Sequence, residues 1–223
     1  TVEQWWLGGL MRSLHRYAAD AFVVVTMLHL IKEIYSGHFR GWRAFTWISG
    51  IPLVWLLYAS GLVGYWLVWD ELAQFVAVGV TEWFAVLPGF GPEMVRNFIV
   101  DEAMSDRFFS LLVFVHIALP LFLLAAMWIH VQRITRPRTW PERATAWGSL
   151  ATLVALALAR PAVSHGPAEV ALAPGALELD WFYLFPLPAM YASSAALVWL
   201  AAGGLDLTVQ LAGDECRTDR ASG

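Results

Sequence analysis

The sequence predicts an all-α membrane protein with about five transmembrane helices and with surface helices between the second and third. Three observations predict it. Hydrophobic residues make up 59% of the 223, charged residues only 14%, and 13 are tryptophan, a composition too apolar for a soluble domain of this length. Apolar stretches of roughly 20 residues recur, the length that crosses the hydrocarbon core as a helix. Lysine and arginine gather in alternate links between those stretches, as they do in multi-pass chains. A single cysteine, Cys216, excludes a disulfide framework and a thiolate metal site within the chain.

Residues 1–9 read as an interfacial lead-in, with Trp5 and Trp6 suited to the headgroup layer, and no signal-peptide pattern precedes Trp5. A first span is expected at about residues 14–35, closed by Ser36-Gly37. The second, at about 46–69, contains Gly50 and Gly64 with Gly61 beside them. Residues 70–107 form an acidic connection that is apolar in pieces, and its Pro88-Gly89 and Gly91-Pro92 breaks predict short helices along the surface. The third span, at about 108–134, carries Pro120 one turn after His116, where a kink is expected. Two further spans are expected at about 146–163 and 183–205, joined by a link that holds only carboxylates and His165. From Asp206 onward the chain is polar and expected to be disordered or partner-bound. These elements group as residues 1–137, 138–206 and a tail at 207–223.

Orientation follows from the basic residues. The links after the first and third spans hold Lys32, Arg40, Arg43, Arg133, Arg136, Arg138 and Arg143. The longer links opposite hold only Arg96 and Arg107, with Arg12, Arg16 and Arg160 near span ends. The basic face is expected to be cytoplasmic, in an inner membrane of bacterial type. The first and third spans then run in the same direction.

Those two spans carry the chemistry. His15 and His29 stand fourteen residues apart on the first, and His116 and His130 fourteen apart on the third. Fourteen residues climb about 21 Å and return within about 40° of one face, so each helix presents one imidazole near each membrane surface. An ionisable side chain in hydrocarbon costs a few kcal/mol. A lone histidine there is commonly structural, hydrogen-bonded to a neighbouring helix. Two doublets of one spacing on parallel helices favour ligation instead, as a frame for two stacked, non-covalent, bis-histidine b-type haems suited to electron transfer. Zinc is the weaker option, because ligands about 21 Å apart make no tetrahedral site. Gly50 and Gly64 share the fourteen-residue period. They either let a neighbouring helix approach closely or clear room for two flat macrocycles. Arg12 and Arg16 for the outer haem and Lys32 for the inner one are placed to pair with propionates, or they simply flank a membrane span.

The segment Gly9-Leu10-Met11-Arg12-Ser13-Leu14-His15-Arg16, the two doublets, the glycine pair, Gly64-Tyr65-Trp66-Leu67-Val68-Trp69-Asp70 and Arg107-Phe108-Phe109 together resemble the cytochrome b family of Rieske/cytochrome b quinol oxidoreductase complexes. The resemblance covers residues 6–137. It implies that three spans belong to that family's haem-binding four-helix bundle. It further implies a low-potential outer haem on His15 and His116, a high-potential inner haem on His29 and His130, and a quinol-oxidising pocket roofed by the 70–107 connection. A weaker match, Leu179-Asp180-Trp181-Phe182-Tyr183-Leu184-Phe185, resembles the family's Pro-Glu-Trp-Tyr motif. There Asp180 would accept a proton from quinol, or it is a plain acidic residue before a span.

The chain departs from the family in three ways. The family's first membrane helix is absent before Thr1 and is expected from a removed segment or another subunit. The carboxy-terminal half has two expected spans where the family has three or four. The tail Gly213-Asp214-Glu215-Cys216 resembles the approach to an iron–sulfur motif with no second cysteine. The function expected is a di-haem subunit carrying electrons between quinone sites and partner redox subunits of a respiratory complex. Those partners would be a Rieske or other iron–sulfur protein and a c-type cytochrome. One alternative is the quinone-reactive haem anchor of a dehydrogenase or reductase. Another is a haem-free scaffold or transporter subunit. Membrane lipid is an expected partner and nucleic acid is not. His38, on the cytoplasmic link, is expected to be a solvated loop histidine, with proton uptake at an inner quinone site as its other reading.

Overall fold

A computed structural model of the chain describes residues 5–39, 43–89, 91, 105–132, 134, 137–169, 171–172 and 175–204. The expectations for residues 92–104, for the side chains of Trp5 and Trp6, and for the polar tail with Cys216 fall outside that set. The helices are α1 (Leu10–Tyr35), α2 (Ala44–Val68), α3 (Glu71–Phe84), α4 (Asp106–Val131), α5 (Arg143–Ala159), α6 (Trp181–Leu184), α7 (Pro186–Ala192) and α8 (Ala195–Gly204). No strand forms among the described residues. The chain divides into two compact units, Thr1–Lys32 with Ile134–Ser164 and Glu33–Arg133 with His165–Gly223.

In the first unit, the link after α5 lies along the first turns of α1. Ser13 is fully buried and donates its hydroxyl to the Gly9 carbonyl (2.8 Å) while accepting the Ala162 N–H (2.9 Å). Tyr17 donates to the Arg160 carbonyl at 2.6 Å, and Arg12 donates to Ser164 Oγ at 2.7 Å. Arg16 pairs one turn along with Asp20 at 3.2 Å.

The end of α1 falls in the second unit and is closed by glycine chemistry. Gly37 has φ +65°, and its N–H reaches the Ile34 carbonyl at 2.9 Å while the His38 N–H reaches Glu33 at 3.1 Å. That pair of reversed bonds is a Schellman cap, which a side chain at Gly37 would strain.

The second unit is built on α2 and α4, the two described helices long and apolar enough to cross a membrane. At 25 and 26 residues each extends about 38 Å, more than the roughly 30 Å of hydrocarbon. They pack antiparallel, with Gly50 beside His130 and Gly64 beside His116. The flank of α4 turned away from that contact is apolar and open, with Phe114, Leu121 and Phe122 exposed, as a lipid-facing flank would be. Pro52 and Pro120 lie inside their helices, and α4 stays helical through Pro120 although the His116 carbonyl has no intrahelical donor there.

After α2 the chain turns sharply at Trp69, a non-glycine residue in the left-handed region (φ 50°). Asp70 then caps α3, its Oδ1 accepting the Ala73 N–H at 2.9 Å. The α3 helix turns Leu72, Ala73, Val76, Ala77, Val80 and Trp83 inward, the period of a helix lying with one apolar face on a core. This is the expected surface helix. The link at 165–172 is tied to its first turn. Glu71 N–H donates to Gly166 O (2.9 Å), His165 N–H donates to Asp70 Oδ2 (3.0 Å), and buried Gln74 receives Glu169 N–H (2.9 Å) while donating to the carbonyls of Glu169 (3.0 Å) and Leu172 (2.8 Å).

The stretch expected as one span at 183–205 instead folds as three short helices, which is a correction to the sequence reading. Pro186 opens α7 without a backbone donor to continue α6. Ser193 leaves helical geometry (φ −131°, ψ −98°), and Ser194 Oγ accepts the Leu197 N–H at 3.2 Å to start α8. None of the three is long enough to cross alone.

Candidate functional site

The strongest chemistry in the second unit lies where α2 meets α4. His116 Nδ1 sits 3.0 Å from the Ser60 carbonyl. A carbonyl only accepts, so Nδ1 carries the hydrogen and, in the neutral ring, Nε2 carries the lone pair. His130 Nδ1 sits 3.0 Å from Ser49 Oγ, which also lies 3.1 Å from the Thr46 carbonyl. A serine hydroxyl both donates and accepts, so with its hydrogen on Thr46 it accepts from Nδ1. Each ring is held to α2 at Nδ1, the kind of contact that orients a metal-ligating imidazole.

The glycines explain how the rings fit. A Cβ on Gly64 would stand 3.0 Å from His116 Cε1, and one on Gly50 would stand 3.2 Å from His130 Cε1. The missing side chains thus admit the imidazoles themselves, a refinement of the two readings weighed from the sequence. On α1, in the first unit, His15 and His29 hold the same fourteen-residue register on exposed positions. Of the propionate candidates there, Arg12 and Arg16 hold the Ser164 and Asp20 partners already described.

Imidazole is a ligand that haem iron accepts, and the two α4 rings suit that group; among the described residues no three of His, Cys, Asp and Glu gather as a metal cage.

A second cluster surrounds Asp180. Tyr65, near the end of α2, donates its hydroxyl to Asp180 Oδ2, and Tyr183 on α6 donates to the Tyr58 carbonyl. The Tyr183 ring lies on the surface that Gly61 leaves open, since a Cβ there would come 2.6 Å from Tyr183 Cζ. It stacks on Tyr58 with centroids 5.0 Å apart and leans on Tyr65 at 5.6 Å. Burial, and then the neighbouring Tyr58 and Tyr65 phenols, push the Tyr183 hydroxyl well above the ordinary tyrosine range. It remains a neutral donor. The arrangement is a carboxylate held by one phenol beside a second, neutral one, which is suited to accepting a proton at a fixed position.

Sequence reasoning missed Ser49, Ser60, Tyr58, Tyr65, Asp70 and Gln74 as organising residues. The available signal was the pair of Ser-Gly steps, Ser49-Gly50 and Ser60-Gly61, each placing a serine on the helix that faces the doublet. His38 pairs with Glu33 at 2.5 Å while its side chain stays 33% exposed.

The cytochrome b (N-terminal)/b6/petB family model matches residues 20–165. Cytochrome b of Dictyostelium discoideum is 30% identical over 128 residues, 56% of this chain and 32% of that protein. Cytochrome b of Rhodobacter capsulatus is 31% identical over 128 residues, 56% and 28% respectively. Cytochrome b6 of Gracilaria tenuistipitata var. liui is 33% identical over 133 residues, 58% and 60%. The match thus spans about a third or less of the two cytochrome b proteins and 60% of the cytochrome b6. With the family model covering more than half of it, and the α2–α4 glycine and histidine register inside that range, this all-α membrane chain belongs to the cytochrome b N-terminal/b6 family.

Proposed function

We propose that the chain is a di-haem electron-transfer subunit of a quinol oxidoreductase complex. In this reading His15 and His116 ligate the outer b-type haem and His29 and His130 the inner one. The observation that carries the reading is the pair of α4 imidazoles, each hydrogen-bonded through Nδ1 to α2 and seated against a glycine. When bound, each haem supplies one-electron chemistry at a potential set by axial ligation, hydrogen bonding and burial.

The chain's own residues do the rest. Ser49 and Ser60 hold the imidazoles in the ligating tautomer, and Gly50 and Gly64 let them approach α2. Arg12, Arg16 and Lys32 neutralise propionates at the two membrane edges, the arginines by turning from their present partners. Asp180 accepts a proton from quinol at the outer face, oriented by the Tyr65 hydroxyl, while the neutral Tyr183 packs behind it on Gly61. The membrane is a cytoplasmic one, with the basic links after α1 and α4 inside. A Rieske-type iron–sulfur protein and a c-type cytochrome complete the complex, and a further helix completes the haem bundle.

The test is spectroscopy of the purified complex. Dithionite-reduced minus oxidised spectra should show low-spin b-type bands at two haems per copy of this chain. A preparation with correct subunits and no such bands overturns the reading.

A further inference from the structure

The two α4 histidines are held by acceptors of different strength. His116 Nδ1 faces a peptide carbonyl, the Ser60 oxygen, and His130 Nδ1 faces a serine hydroxyl, Ser49 Oγ, that also lies against the Thr46 carbonyl; with Nε2 on iron, Nδ1 of each ring is the donor. A stronger acceptor on Nδ1 draws the proton further from the ring. The imidazole then gains anionic character and stabilises the more positive, ferric iron. The amide oxygen is the better acceptor, so the outer position is biased toward lower potential than the inner one.

We propose that Ser49 is a positioning residue that tunes the inner haem, its hydroxyl setting the reduction potential through His130 Nδ1. This rests on His130 being an axial ligand. No backbone group can be deleted at Ser60, but Ser49 can be changed alone. The substitution Ser49→Ala removes the acceptor and the anionic character it induces, so the inner couple becomes easier to reduce. One hydrogen bond to a group that changes charge shifts the reduced-to-oxidised ratio about tenfold at fixed ambient potential, which is about 59 mV for one electron.

The experiment is an equilibrium redox titration of the b-type α-band in the purified complex carrying Ser49, Ser49→Ala or Ser49→Thr. The expected result is a rise of the higher-potential wave alone in Ser49→Ala, an unmoved lower wave, and return to the starting potential in Ser49→Thr, which keeps a hydroxyl. Two unshifted waves in Ser49→Ala overturn the role of Ser49 while leaving the di-haem reading intact. Equal displacement of both waves also overturns it, because a general loosening of the bundle would act on both haems. Absence of b-type bands from the unmodified complex is the separate failure, that of the di-haem reading itself.

Discussion

Replacing Gly64 by alanine tests the packing at His116. The new methyl would stand 3.0 Å from His116 Cε1 and 3.6 Å from Nδ1, whereas carbon contacts settle at about 3.5–4.0 Å. The ring must therefore retreat by roughly 0.5 Å, stretching its bond to Ser60 from 3.0 Å beyond the range of a good hydrogen bond. Overpacking of this kind costs about 1–3 kcal/mol and the weakened bond about 1 kcal/mol. Better helix propensity returns about 1 kcal/mol. The net loss is about 2 kcal/mol, or roughly thirtyfold in the equilibrium that holds the ring in place. At Gly50 the gap is 3.2 Å and the loss about half as large. Gly148 in α5 meets nothing within 4 Å, so Gly148→Ala should be neutral or gain up to about 1 kcal/mol. The assay is haem content per chain by pyridine haemochrome, with thermal loss of the α-band. Gly64→Ala should lose haem first, Gly50→Ala less, and Gly148→Ala not at all. Full haem occupancy and unchanged thermal behaviour in Gly64→Ala would refute the proposed seat of the ring.

Three further outcomes follow from the second unit. Asp180→Asn, which keeps a partner for Tyr65 but cannot take a proton, should slow quinol oxidation by the complex about 10²-fold or more; an unchanged rate removes Asp180 from that role. Asp70→Ala deletes the α3 cap and the acceptor for His165 N–H, and should cost about 2 kcal/mol. Hydrogen exchange at the amides of Ala73 and His165 should rise together, and protection retained at both would contradict the clamp. Because the folded Tyr183 pKa lies above its unfolded value of about 10, its contribution to stability is complete below that pH and is lost as pH rises toward the folded value. Alkaline unfolding should therefore begin at higher pH in Tyr183→Phe, and an identical onset would argue against the buried phenol.

Much of this was legible because membrane helices are repetitive. The expected second and third spans meet α2 and α4 at their amino ends within two residues, since apolar run length and the flanking basic links speak directly to bilayer thickness. The fourteen-residue period of Gly50 and Gly64 was legible, but not that it sets them against His130 and His116, which follows because equal spacing on two antiparallel helices brings residues level in pairs. What lay hidden depends on contacts between distant segments. Nothing in the local pattern ties residues 165–172 to Asp70 and Gln74, or Tyr65 to Asp180, and a buried glutamine looks like any surface polar residue. The break of the last span was signalled by Pro186 and by Ser193-Ser194, but the apolar run across them outweighed it.

The most direct test of bis-histidine ligation is a redox titration of the purified complex with single substitutions of the α4 ligands. Two one-electron b-type waves are expected, with His116→Asn abolishing only the lower-potential one and His130→Asn only the higher. A single wave in the unmodified complex, or substitutions that leave both waves in place, would contradict the ligation of two haems by this chain.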